Sequence, residues 1–255
     1  MLRATVLTSA LIATAITALS AQNMARERAL TPYRLGFEHM RAEAFDEAAK
    51  AFEVATQTDP TFEMAHYMLG RMHMSTKRFV EAVAALSEAR RLYQVQAGRQ
   101  FSNAHEAQRY RRETISEIDD ALRQLRSGRQ TNQTIEQIRQ LNERKRQLLD
   151  IVSRGNNITL GVADAVPSYV TLSLGSAHFR TGNLAEAEKA YLESVGTDPN
   201  AGEAHNNLAV VYYETGRYKE ADKALRAAEK AGVKVHPELK AQITEKLKRA
   251  GSMDW

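Results

Sequence analysis

The 255-residue chain contains no cysteine, which excludes disulfides, thiolate metal centres and a lipid-bearing N-terminal cysteine. Proline is scarce, and none occurs between Pro60 and Pro167. That proline-free stretch is rich in Arg, Gln, Glu and Leu, a composition that favours helix over loop. Several reactive signatures are also missing. There is no glycine-rich phosphate loop and no G-x-S-x-G, and His66 and His73 are too far apart for a helical zinc pair. No acid, base and nucleophile cluster together, so the expectation is a non-catalytic chain with no cofactor and no metal. Charge of one sign is not in excess either. Thirty-five Lys and Arg face 31 Asp and Glu, a net charge of +4, which carries no inference of a nucleic-acid partner. Nor is there a long apolar run in the body of the chain.

The one long apolar stretch lies at the start. Arg3 opens it, a Thr-rich hydrophobic run continues to about Leu19, and Ala18, Ser20 and Ala21 offer small residues for cleavage. The run is short for a membrane span, which needs about 20 residues. Residues 1–21 are therefore expected to be a signal peptide. The mature chain would be exported, periplasmic or extracellular, with no stable membrane span after cleavage.

What is present is repetition. Leu174-Gly175 is answered by Leu208-Ala209, Gly182 by Gly216, Ala187 by Ala221 and Tyr191 by Leu225, each pair 34 residues apart. Small residues at Gly175, Ala187, Ala209 and Ala221 let two antiparallel helices approach closely. Gly182 and Gly216 fall where the first helix must stop and turn. Asp198-Pro199 then punctuates the unit, because proline cannot continue a helix. A lone helix pair cannot bury its apolar face, so further copies are expected, and they occur upstream. Leu35-Gly36, Ala48, Phe52, Ala55 and Asp59-Pro60 make one unit; Leu69-Gly70, Ala82, Leu86 and Ala89 make the next.

A period of 34 with these residues resembles the tetratricopeptide repeat. The resemblance implies an all-α helix-turn-helix solenoid of four repeats in two pairs, at residues 29–96 and 166–234. The family's bulky first-helix residue is replaced by Pro32, His66, Thr171 and His205. Thr31-Pro32 is expected to start the first helix.

Between the pairs, residues 97–165 are expected to form an inserted helical hairpin of coiled-coil type. One helix runs from about Ser102 to Ser127 and carries Ile115, Ile118, Leu122 and Leu125. The other runs from about Asn132 to Val152 and carries Ile138, Leu141, Leu148 and Val152. Lys145 interrupts the second stripe. Narrow stripes flanked by arginines (Arg109, Arg111, Arg112, Arg144 and Arg146) suggest an appendage, and a surface for self-association or a second partner. A worn fifth repeat within the stack is the other reading. Residues 235–250, opened by Pro237 and striped with Leu239, Ile243 and Leu247, are expected to cap the stack.

Three repeats carry His39, His73 and His178 where the fourth has Tyr212, a pattern expected of half-buried packing residues. The resemblance also implies an inner groove lined by the first helices of the repeats. Its positions hold Tyr33, Phe37, Met40, Met64, Tyr67, Arg71 and Met74 in the first pair. In the second they hold Tyr169, Leu172, Phe179, Arg180, Asn206, Val210 and Tyr213. Aromatic and methionine side chains combine contact area with adaptability, which suits a protein or peptide partner. Some members clamp a C-terminal carboxylate with lysines, an arginine and two asparagines. Asn207 matches one position, but Leu172 and Ser176 stand where Lys and Asn are needed. The expected function is a protein–protein interaction scaffold that binds a segment in the groove. The alternative is a structural subunit of a cell-envelope assembly, obligately bound to its partner.

Overall fold

The small-residue spacing becomes close helix packing in the computed structural model, which describes residues 24–98, 101, 103–128, 132–154 and 165–251. The expected signal peptide lies outside these. Eleven helices, without strands among the described residues, make up the fold. Helix α1 spans 24–41, followed by α2 (Phe45–Thr58), α3 (Glu63–Ser75) and α4 (Phe79–Ala97). The hairpin is α5 (Ala104–Ser127) and α6 (Asn132–Ser153). Then come α7 (Ser168–Arg180), α8 (Leu184–Thr197), α9 (Gly202–Glu214), α10 (Tyr218–Lys230) and α11 (Pro237–Gly251).

Each repeat is a pair of antiparallel helices, and a small residue, glycine in three repeats and Ala209 in the fourth, sets how near they come. A Cβ on Gly175 would lie 2.6 Å from the Tyr191 ring, and one on Gly70 would lie 2.5 Å from Leu86 Cγ. The turn positions follow a second rule. Gly182 and Gly216 have φ of +79° and +74°, in the left-handed region that costs glycine little. In the first pair, Glu43 (φ 58°) and Lys77 (φ 60°) occupy the same turn and carry a side chain there. Asp59 and Asp198 close the repeats by accepting backbone N–H bonds from Thr61 and Asn200 at 2.9 and 3.0 Å. His66 and His205, which replace the bulky first-helix residue, each bond through Nε2 to the carbonyl of the preceding proline, Pro60 or Pro199, at 3.1 and 3.0 Å.

The insertion does not interrupt the stack. Helix α4 packs directly on α7, and α3 also touches α7, so the third repeat sits against the second as a neighbour would. The ring of Tyr67 meets that of Tyr169 at 4.9 Å, and the hydroxyls of Tyr93 and Tyr169 lie 3.4 Å apart across this joint. The hairpin is therefore not a worn fifth repeat. It is not an appendage either. Ile118, Ala121, Leu122 and Leu125 of α5 and Leu141 and Leu148 of α6 join one apolar cluster with Tyr33, Phe37, Met64, Tyr67 and Tyr169. Both stripes face inward, because the groove of the first pair is itself apolar and no other described element covers it. Two expected flanking arginines, Arg111 and Arg144, are buried in consequence. Lys145, which broke the stripe, reaches Asp119 across the hairpin at 2.6 Å.

The start of α1 also differs from expectation. The helix already runs at residue 24 and continues through Pro32. Arg26, in the extra turns, explains their order. Its guanidinium bonds to Asp59 (2.5 Å), Glu63 (3.1 Å), Glu117 (2.7 Å) and the Thr61 carbonyl (3.0 Å), and lies 4.2 Å from the Phe62 ring centre. One residue thus ties α1 to the turn before α3 and to the hairpin. At the other end, Ile243 of α11 is buried, with Leu239 and Leu247 packed beside it, which closes the second apolar cluster.

Candidate partner-binding groove

The first helices of the repeats are α1, α3, α7 and α9, and their inner faces carry the residues expected to line the groove. Burial divides these residues into two groups. Tyr33, Phe37, Met64, Tyr67, Arg71, Tyr169 and Leu172 are buried, each no more than 8 % exposed. Of these, Tyr33, Phe37, Met64, Tyr67 and Tyr169 share a cluster with the hairpin, whereas Leu172 belongs to the cluster of the second pair. Met40 and Met74 pack half-buried against the same cluster. Phe179, Asn206, Val210 and Tyr213 are half-buried, and Arg180 is exposed. The groove is thus filled along the first pair and open beyond it. Sequence periodicity could not separate the two, since a position facing the groove reads alike whether or not another part of the chain lies in it.

The open part begins with a cleft of about 540 Å³ at the joint between the second and third repeats. Met74 and Ser75 of α3, Ser176, Phe179 and Arg180 of α7, Tyr191 of α8 and Asn207 of α9 line it. Lys77, from the turn between α3 and α4, and Phe79, at the start of α4, complete the lining. Three of the expected groove residues therefore meet here: Met74, Phe179 and Arg180. Lys77 and Phe79 were not anticipated, because they lie at a turn and not on the inner helix face. A signal for Lys77 exists in retrospect. It stands where the second pair has glycine, so the repeat alignment alone marks it as an added side chain at a tight turn.

The cleft is built from a few fixed contacts. Arg180 lies over the Phe79 ring, 4.9 Å from its centre, which joins the two repeats across the mouth. Burial pushes the Tyr191 phenol up to about 12, against hydrogen bonds to Ser176 and Asn207, so it remains a neutral donor at physiological pH. Its hydroxyl donates to Ser176 Oγ at 3.3 Å. Phe179, Phe79 and Met74 supply apolar surface, while Asn207 and Ser176 supply hydrogen-bonding groups. Lys77 and Arg180 are the charged residues in the lining, and none of the lining residues is acidic. Such a surface can hold an extended chain by contact and polar pairing.

The histidine series His39, His73 and His178, with Tyr212, is half-buried throughout, one residue in each repeat. Burial lowers the pKa of His73 and of His178 from the ordinary imidazole value. Among the described residues, no group of three or more His, Asp or Glu could hold a metal ion.

A family profile described as tetratricopeptide repeat matches residues 33–97 and 172–232, the two stretches on either side of the hairpin. This is a tetratricopeptide-repeat protein. Such repeats serve as protein-interaction scaffolds and are typically non-catalytic. The solved structures similar to this tetratricopeptide-repeat protein are remote in sequence. The type IV pilus biogenesis factor PilW is 16% identical over 88% of this chain and 87% of its own, with a TM-score of 0.40. PilF of Pseudomonas aeruginosa is 14% identical over 91% and 87%, with a TM-score of 0.35. A thermophilic TPR protein of Thermus thermophilus, TTC0263, is 18% identical over 86% and 98%, with a TM-score of 0.33. No curated protein matches the chain in sequence. No helix among the described residues is long and apolar enough to cross a membrane.

Proposed function

We propose that this tetratricopeptide-repeat protein is an exported, non-catalytic scaffold that binds a protein segment in the open part of its concave groove. The cleft between the second and third repeats is the observation that carries this reading. It is large, lies on the inner face, and combines aromatic and methionine surface with hydrogen-bonding groups. The Thr-rich apolar start of the chain, with small residues near Ala21, supports export. Site-specific photo-cross-linking in native envelope preparations tests the binding face. A cross-linker in place of Phe179 or Tyr213 should capture the same protein, and one in place of Lys189, on the exposed side of α8, should not. Equal capture from all three positions would overturn the groove as the binding face.

The alternative, a subunit obligately bound in an envelope assembly, has one observation of its own. Leu35 is 43% exposed, whereas its repeat equivalents Leu69, Leu174 and Leu208 are buried, so the first repeat presents an uncovered apolar edge. A partner stacked on that edge would cross-link from position 35. It would also leave the purified chain aggregated on its own.

A further inference from the structure

We infer that the segment taken up by the cleft is acidic, an extended peptide in which carboxylates flank a large apolar side chain. This inference rests on the groove reading above and names the chemistry of its occupant. Lys77 and Arg180 stand at the cleft without an acidic residue among its lining. Arg180 faces the Phe79 ring and Lys77 projects from a turn at φ 60°, where its equivalents in the second pair are glycine. Within the described residues neither makes an ion pair, although most arginines elsewhere on this surface do. Deeper along the same stripe of α3, one turn before Met74, lies Arg71. It is 8% exposed, its Nη1 is buried with no hydrogen-bond partner, and the ring of Tyr67 lies 5.9 Å from its guanidinium.

A guanidinium held away from water without an acceptor costs the fold stability, because nothing replaces the hydration it has lost. Arg26, by contrast, keeps about a fifth of its side chain in water and is still met by three carboxylates. Among the described residues, Arg71 on α3, Lys77 in the turn that follows and Arg180 on α7 make no ion pair with the chain's own acids. An anionic partner is the chemistry that completes the set. Two charges at the mouth attract and orient carboxylates, and Phe79 with Phe179 accept the apolar side chain between them. Arg71 marks the inner end, buried beside the ring of Tyr67. The cations differ from the clamp positions of the family, which Leu172 and Ser176 leave unfilled.

Fluorescence anisotropy with labelled peptides decides the matter. The probes are a ten-residue peptide with an Asp-Phe-Asp-Leu centre and its uncharged counterpart with Asn-Phe-Asn-Leu. The acidic peptide should bind the full-length chain at least about tenfold more tightly at low salt, and the gap should close as salt rises. In the variant Lys77→Gln/Arg180→Gln the gap should disappear, with the uncharged peptide unaffected. Arg71→Met should weaken the acidic peptide and raise the melting temperature, because it removes an uncompensated buried charge and keeps the volume. An arginine kept for structure would do the reverse, lowering the melting temperature and sparing the peptide. Equal affinity for the two peptides, no binding of either, or discrimination surviving the loss of Lys77 and Arg180 would each overturn the acidic occupant. The groove itself would still be decided separately by the cross-linking at Phe179 and Tyr213.

Discussion

Gly175 shows how much a single atom governs in this fold. Its missing Cβ leaves room for the Tyr191 ring, which would otherwise be 2.6 Å away. Gly175→Leu should therefore destabilise the second pair by about 1–3 kcal/mol through overpacking, and Ala221→Leu, at a fully buried position, should do the same. Lys189→Leu, on the exposed side of α8, should cost under about 0.5 kcal/mol. Indistinguishable denaturant midpoints for the two classes would refute the repeat frame. Glu117 is the other residue with a readable consequence. Burial pushes its carboxyl up to about 7, with repulsion from Glu63 adding to the rise and Arg26 opposing it, although a fifth of the side chain reaches water. A raised acid binds more protons folded than unfolded, so stability falls as pH rises from the ordinary carboxylate range to about 7. Asp59 behaves oppositely. Burial pushes it up, but hydrogen bonds from Thr61 and Arg26 outweigh that and hold it low, so its contribution is lost only in stronger acid. The lowered imidazoles of His66, His73 and His178 act the other way in the same window, so melting curves between about pH 5 and 7.5 should show the parent losing stability relative to Glu117→Gln as pH rises. An unchanged slope would remove Glu117 as its source. Arg26→Ala, which strands three carboxylates, should cost about 3 kcal/mol.

Among the elements, the hairpin α5–α6 departs furthest from what its sequence suggests. Its stripes are narrow enough for one partner helix, yet they serve two purposes: pairing with each other and filling the groove of the first pair. Polar contacts fix its position along α1. Arg26 meets Glu117, Arg34 meets Asp120 at 3.3 Å, and Arg41 meets Gln124 and Ser127 at 2.7 and 2.9 Å. Leu122→Ala, at a site only 2% exposed, should accordingly cost about 2–5 kcal/mol and lower the cooperative transition of the whole chain. A change confined to a separate, smaller helical transition would mean the hairpin folds by itself. Replacing residues 102–153 by a Gly/Ser linker should expose Tyr33, Phe37, Met64 and Tyr67 together and leave an aggregating product. A soluble, cooperatively folded product would contradict the packing described here.

At the scale of the whole molecule, the hairpin turns a uniform solenoid into one with a closed half and an open half. The second pair and its cap, α7 to α11, form a cluster in which Leu172, Tyr191, Leu208 and Ile243 are buried without help from the hairpin. The open groove lies on this half and at its joint with the first. Cross-linking from Phe179 and Tyr213 should therefore succeed where the same cross-linker in place of Tyr67 or Tyr33 yields only contacts within the chain. Capture of an outside partner from Tyr33 would show the first half to be open as well.

The sequence by itself determined the repeats, their close approach and their turns. Those are local matters: a glycine excludes a clash with a residue 16 positions on, and an Asp-Pro pair stops the helix it follows. It also determined the hairpin helices, because Asn103 caps α5 by accepting from the Glu106 N–H at 2.9 Å and the apolar period continues through both. Lys77 was legible only as an exception to the glycine rule. Which groove residues are core and which are free was decided by the tertiary structure alone. A periodic apolar stripe states that a face must be covered. It does not state by what, and here the cover for Tyr33 and Tyr67 comes from residues some 50 to 115 positions further along the chain. They are brought back because burying both apolar faces together removes more surface from water than leaving each exposed.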